Sequence, residues 1–169
     1  MATATINRPP EALTPGQIIA KHQTSAPVDV VAIASDLGIN VWETTSFPDS
    51  ISGKIFRDPL NGGSSGFSIV VNATHSLSRK RFTIAHEIGH FFLHRKRLDS
   101  GELIDDAMYR SGVTAREETD ANRFAADLLM PFSLIRSLMA AGINSPEQLA
   151  AKLQVSLPAI RIRLGLPLE

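Results

Sequence analysis

The chain has 169 residues, 43% of them hydrophobic, which suits one domain with a sizeable core and argues against global disorder. Lys plus Arg and Asp plus Glu each number 17, so the formal net charge is +0, and this weighs against a nucleic-acid binder that relies on bulk electrostatics. Cysteine is absent, which excludes disulfides, thiolate metal sites and cysteine nucleophiles and leaves His, Asp and Glu as the only candidate metal ligands.

The first stretch, residues 1–13, has no periodicity and carries Pro9-Pro10, so it reads as a flexible leader. It lacks the charged-then-apolar pattern of a signal peptide. No later run approaches the roughly 20 apolar residues that cross a bilayer. The expectation is a soluble, cytoplasmic protein. Thr14-Pro15 supplies a cap and a proline at the first helical position, which predicts a helix to about His22. A second helix is predicted from Pro27 to Leu37. Val30, Ile33, Ala34 and Leu37 form its buried face and Gly38 its stop.

Strand material follows. Ile39–Thr44, residues 52–57 and Phe67–Asn72 are separated by turn formers, with Asn61-Gly62-Gly63-Ser64-Ser65-Gly66 before the third. Their closeness, with no helix between them, predicts a short three-stranded, mainly antiparallel sheet. From about Ser76 the chain reads as helical, giving an α+β fold in which the sheet packs with a helical bundle. One helix runs from there to about Arg95. Thr114 caps a long helix ended by Pro131. Phe132 to Ala140, Ser145-Pro146 to Leu153, and Ser156-Leu157-Pro158 to about Gly165 are three short ones.

The helix near Arg95 contains His86-Glu87-Ile88-Gly89-His90. Residues four apart share one helix face, so His86 and His90 can direct two imidazoles at one ion, with Glu87 beside them as a base. Zn²⁺ takes three protein ligands and keeps an open position in hydrolytic sites. Mn²⁺ and Fe²⁺ also suit such donors. Glu118 is the favoured third ligand. It shares a stripe with Ala121, whose small side chain lets helices approach, and with Asn122, which can hydrogen-bond a ligand imidazole from behind. Glu118 lies 28 positions beyond His90 (118 − 90), enough for a loop and an antiparallel return. Glu117 points about 100° away from Glu118 and Asp120 lies off the stripe, but both are alternatives.

His94 continues the spacing, yet it stands about 12 Å along the axis from His86, too far for both to hold one ion. It is expected at the helix end, near the negative pole, or behind a ligand. His75 and His22 are bland by position. Tyr109, Arg123 and His94 are candidate oxyanion donors. Phe82, Ala85, Ile88, Phe92 and Leu93 are expected in the core, and Gly89 suggests close backbone approach. The strand Phe67–Asn72 is either central or an edge to which an extended substrate can add.

With these stretches in view, the sequence resembles the ImmA/IrrE family of metallopeptidases. The resemblance rests on Arg81-Phe82-Thr83-Ile84-Ala85-His86-Glu87-Ile88-Gly89-His90 with Leu93-His94, and on Glu118-Thr119-Asp120-Ala121-Asn122-Arg123-Phe124-Ala125-Ala126-Asp127-Leu128-Leu129-Met130-Pro131. It continues in layout over about residues 25 to 166. Asp120 stands where the family more often has Glu, which favours Glu118 as ligand. The resemblance implies a zinc-dependent protease whose substrate is a helix-turn-helix (XRE-type) repressor, and some relatives sit in toxin–antitoxin-like pairs. The chain is expected to divide into the leader, a metallopeptidase domain at 14–140 and a C-terminal unit at 141–169, packed on it, that reads like a helix-turn-helix.

In the resulting mechanism, His86, His90 and Glu118 hold Zn²⁺ and Glu87 is the general base. Two rivals differ in class. A DNA-binding regulator would use the C-terminal helices, but the reading positions would be Leu157 and Pro158, which offer no hydrogen bonds to bases. A metal-binding toxin or toxin–antitoxin partner would act without proteolysis and would survive Glu87→Gln.

Overall fold

An unbroken apolar strand suits a position buried on both faces of a sheet. Phe67–Asn72 comes close to such a run, with Ser68 and Asn72 its two polar residues, and it becomes the central strand in the computed structural model, which describes residues 12–100 and 114–168. In chain order the elements are the helices α1 (Pro15–His22) and α2 (Val30–Asp36) and the strands β1 (Ile39–Thr44), β2 (Gly53–Arg57) and β3 (Phe67–Asn72). The helices α3 (Leu77–Leu93), α4 (Arg95–Ser100), α5 (Ala115–Leu129), α6 (Phe132–Ala140), α7 (Pro146–Leu153) and α8 (Leu157–Arg163) follow. The α+β class holds.

The sheet is mixed, which corrects the mainly antiparallel expectation. Its order is β1-β3-β2. β2 pairs antiparallel with β3, setting Ile55 opposite Ile69, whereas β1 pairs parallel with β3, setting Val41 opposite Ile69. The cause lies at the end of β3. Asn72 is fully buried, and its amide Nδ2 donates to the carbonyls of Pro48 at 3.1 Å and Ile51 at 3.0 Å. This pins residues 45–52 across the C-terminal end of β3. The chain therefore leaves β1 and enters β2 at the same end of the central strand, on opposite edges. β1 must run with β3 and β2 against it. Hydropathy along each strand carries no trace of that crossing.

Local signals set most helix ends. Thr14 and Gln17 form a reciprocal capping box on α1. The second helix starts later than Pro27, because the Asp29 carboxylate accepts from the N–H groups of Val31 and Ala32 and so caps α2 at Val30. Gly38 leaves that helix at φ +75°, as its stop requires. α4 occupies a stretch with no apolar period. Its Leu98 is buried, and its Arg95 guanidinium stacks 4.5 Å from the Phe67 ring centroid and 4.3 Å from that of Phe91.

The core runs through sheet and helices together, from Ile33, Ile69 and Ile88 to Leu128, Leu149 and Ile160. Ala85 and Ile88 are fully buried as expected, but Leu93, at 50% exposed, is not in the core. Arg81 is a buried charge that the apolar pattern hides. Its guanidinium donates to the carbonyl of Val28 at 2.7 Å, ahead of α2, and to those of Gln154 at 3.3 Å and Leu153 at 3.4 Å, at the end of α7. Burial pulls its pKa below the ordinary arginine value, and the Asp29 charge works against that shift. Arg81 thus ties the start of the metal-motif helix to both chain-terminal segments. α7 and α8 are joined through Gln154 in a left-handed conformation. On α8, Arg163 pairs with Asp127 at 2.7 Å, donates to the carbonyl of Met130 at 3.0 Å and stacks on Phe132. No helix among the described residues is long and apolar enough to cross a membrane.

Candidate metal centre

α3 is capped by Ser76, whose hydroxyl accepts from the Arg79 N–H. From Thr83, its seventh residue, to Phe91 the helix is buried all round, because α3 lies between the sheet and α5. His86, Glu87 and His90 are 7%, 3% and 4% exposed. The helical spacing brings the Nε2 atoms of His86 and His90 to 2.9 Å from each other.

The third side chain arrives through packing. A Cβ on Gly89 would stand 3.3 Å from both the Cα and the carbonyl oxygen of Ala121, and 3.1 Å from the Phe124 ring. α3 and α5 therefore touch almost backbone to backbone at Gly89 and Ala121, one turn beyond Glu118. The Glu118 carboxylate is carried in, with Oε1 3.3 Å from His90 Nε2 and Oε2 3.5 Å from His86 Nε2. We predict that Gly89→Val, whose branches must displace backbone rather than a flexible chain end, costs about 1–3 kcal/mol of stability. It should also lower zinc affinity by moving Glu118 off the histidines. Denaturant titration with and without zinc measures both, and unchanged zinc affinity would show that this contact does not set the site.

A tetrahedral zinc with bonds near 2.0–2.1 Å has its ligand atoms about 3.3 Å apart. The separations of 2.9, 3.3 and 3.5 Å fit that figure. Each residue offers one ligand atom within 4.8 Å of the others. The outer ring nitrogens are also engaged. His86 Nδ1 lies 2.9 Å from Asn122 Oδ1, and His90 Nδ1 lies 2.9 Å from His94 Nδ1. Such partners hold each imidazole in the tautomer that points Nε2 at an ion. His94 is both things expected of it, the C-cap of α3 and a group behind His90. Burial first, then the neighbouring His90, holds its pKa below the usual histidine value.

The competing acids face elsewhere. Glu117 accepts from the Thr114 N–H at 2.7 Å in the capping box of α5 and pairs with Arg97 at 2.6 Å. Those contacts, Arg97 foremost, pull its pKa down to about 2. Asp120 is half-buried and lies 3.9 Å from Arg116. Asp127 is engaged by Arg163. His22 pairs with Asp36 at 2.8 Å and His75 Nε2 lies 3.1 Å from the Asp49 carbonyl, both remote from the cluster as their positions suggested. Of the proposed oxyanion donors, His94 stands behind His90 rather than in front of it, Arg123 is exposed, and Tyr109 lies outside the described residues.

One contact has no sequence signal. Glu87 Oε2 accepts from the backbone N–H of Ile55 in β2 at 3.1 Å, with both residues buried. An amide of the main chain could be found only from the sheet register.

Among solved structures, a Mycobacterium tuberculosis transcriptional regulator is similar in fold, with a TM-score of 0.61 at 15% identity. The likeness covers 90% of this chain and 45% of that one, so the chain spans less than half the length of that protein. No curated protein matches the chain. Residues 34–165 match the Peptidase_M78 family model, described as the IrrE N-terminal-like domain. That span takes in the His86–His90 helix, Glu118 and most of the C-terminal helices, so the protein belongs to the ImmA/IrrE family of metallopeptidases.

Proposed function

We propose that the chain is a zinc-dependent endopeptidase in which His86, His90 and Glu118 hold the ion and Glu87 is the general base. The observation that supports this best is the convergence of two buried imidazole Nε2 atoms and one carboxylate at 2.9–3.5 Å, with the acid of the same helix turn beside them. A bound zinc would supply Lewis acidity toward the scissile carbonyl and lower the pKa of a water. Asn122 and His94 orient the two imidazoles. Glu87 takes the proton of the attacking water and delivers it to the leaving amine. The substrate enters as an extended segment. β3 is central, and among the described residues the sheet edge beside Glu87 belongs to β2.

The substrate we propose is a helix-turn-helix repressor of the XRE type, cleaved to release its genes. Family membership supports this part of the reading. The C-terminal helices serve packing and partner contact rather than base readout. The basic side chain of Arg163 is committed to Asp127, Met130 and Phe132 within the chain. The test is co-incubation of the zinc-loaded protein with a helix-turn-helix repressor of the same organism, taken first from the neighbouring genes. Discrete fragments that vanish with a chelator and return with zinc are the expected result. An intact repressor under zinc-replete conditions would remove it as the substrate.

A further inference from the structure

The parity of the β2–β3 ladder decides what faces the metal site. Asp58 N–H donates to Gly66 O at 2.9 Å and Asn72 N–H to Ser52 O at 2.8 Å, so the residues opposite each other at 58/66 and 52/72 are hydrogen-bonded pairs. Hydrogen-bonded and non-hydrogen-bonded pairs alternate in an antiparallel ladder. Gly53, Ile55 and Arg57, opposite Val71, Ile69 and Phe67, therefore turn their N–H and C=O groups away from β3, toward the outer side of β2. On that side the Ile55 N–H is taken by Glu87 Oε2. A buried amide needs an acceptor and a buried carboxylate needs donors, so each satisfies the other.

Building on the peptidase reading, we propose that the Ile55 amide is the positioning group of the general base and that it sets the substrate register. The N–H fixes the plane of the Glu87 carboxylate against the sheet, independently of the helix that carries it. An extended peptide laid along β2 cannot use that donor. Its main chain bonds to the flanking groups of Gly53 and Arg57 and to the outward Ile55 carbonyl, and the ladder lacks the one bond that the Ile55 N–H would have given. The substrate peptide unit whose carbonyl faces the Ile55 N–H is the one whose oxygen is left untied to the sheet. It stands level with Glu87 and the adjoining His86, and it is the bond that is cut. The preferred substrate is thus a segment that can be extended over residues on both sides of the cleavage point, with no proline where the Gly53 and Arg57 pairs form.

Amide hydrogen exchange read by NMR on the zinc-loaded protein tests the clamp without any substrate. Ile55 should exchange slowly in the wild type and in Glu87→Gln, where the amide oxygen still accepts. It should exchange about tenfold faster or more in Glu87→Ala. The Val71 amide in the centre of the sheet serves as the folding control and should not change. Equal Ile55 exchange in all three proteins, with Val71 unchanged, would overturn the clamp. A tripeptide hydroxamate then probes the register. Its binding should slow exchange at Gly53 or Arg57 and leave Ile55 as it was. Binding that alters neither flank overturns the register. Failure of the hydroxamate to bind the zinc form at all counts against the peptidase reading itself, whatever the three exchange rates show.

Discussion

Glu87→Gln should leave zinc content and folding unchanged and reduce peptide cleavage by about 10²–10⁴-fold, the usual contribution of a positioned general base. The substitution keeps shape and keeps an acceptor for the Ile55 N–H, 3.1 Å from the native carboxylate, so the fold has no reason to adjust. What disappears is the capacity to take a proton. Because the side chain is only 3% exposed, bulk water is a poor replacement base. Metal analysis beside a single-turnover cleavage assay separates the two properties. Full activity in the variant would sink the assignment of Glu87. A biological effect that survives the loss of cleavage would instead point to the non-proteolytic toxin or partner role.

The second large effect distinguishes two adjacent acids. Glu118→Ala should weaken zinc binding by more than the roughly 10–100-fold that loss of an outer partner costs, because a donor within 3.5 Å of both histidine Nε2 atoms is removed. Glu117→Ala should leave zinc affinity near the native value. Its own cost is in stability, about 1 kcal/mol for a lost capping box, together with the Arg97 pair, which partial exposure screens. The pH dependence separates the two further. Glu117 has its pKa lowered to about 2 in the folded chain, so it contributes stability that is present above the ordinary carboxylate range and is lost as pH falls toward 2. Removing it should flatten the acid limb of the stability profile without touching metal binding. Chelator competition and denaturant titration across pH check both. Comparable zinc loss in the two variants would mean that the capping acid also reaches the ion.

Much of the architecture was legible because it is local. Each strand was found within a residue of its observed ends, and Thr14, Thr114, Ser145 and Ser156 all cap the helices they were expected to cap. α4 was not legible, since its anchors are a single leucine and two arginines that stack on rings or pair with an acid of another helix. Arg81 was missed for a related reason. Within a helix an arginine normally signals solvent, and only the three carbonyls around it show otherwise.

The sequence by itself determined that His86, Glu87 and His90 share one helix and that the two imidazoles meet, because four residues of α-helix bring side chains together whatever else the chain does. It also favoured Glu118 as the third donor, with Glu117 and Asp120 as alternatives. Tertiary structure separates their surroundings. The capping box and Arg97 take up Glu117, while the contact of Gly89 with Ala121 sets how α5 lies against α3 and leaves Glu118 facing the histidines. The strand order and the Ile55 amide beneath Glu87 were likewise settled by long-range packing. A residue's rotation about a distant helix, and the direction of a backbone N–H in a sheet, depend on partners that only the folded chain brings near.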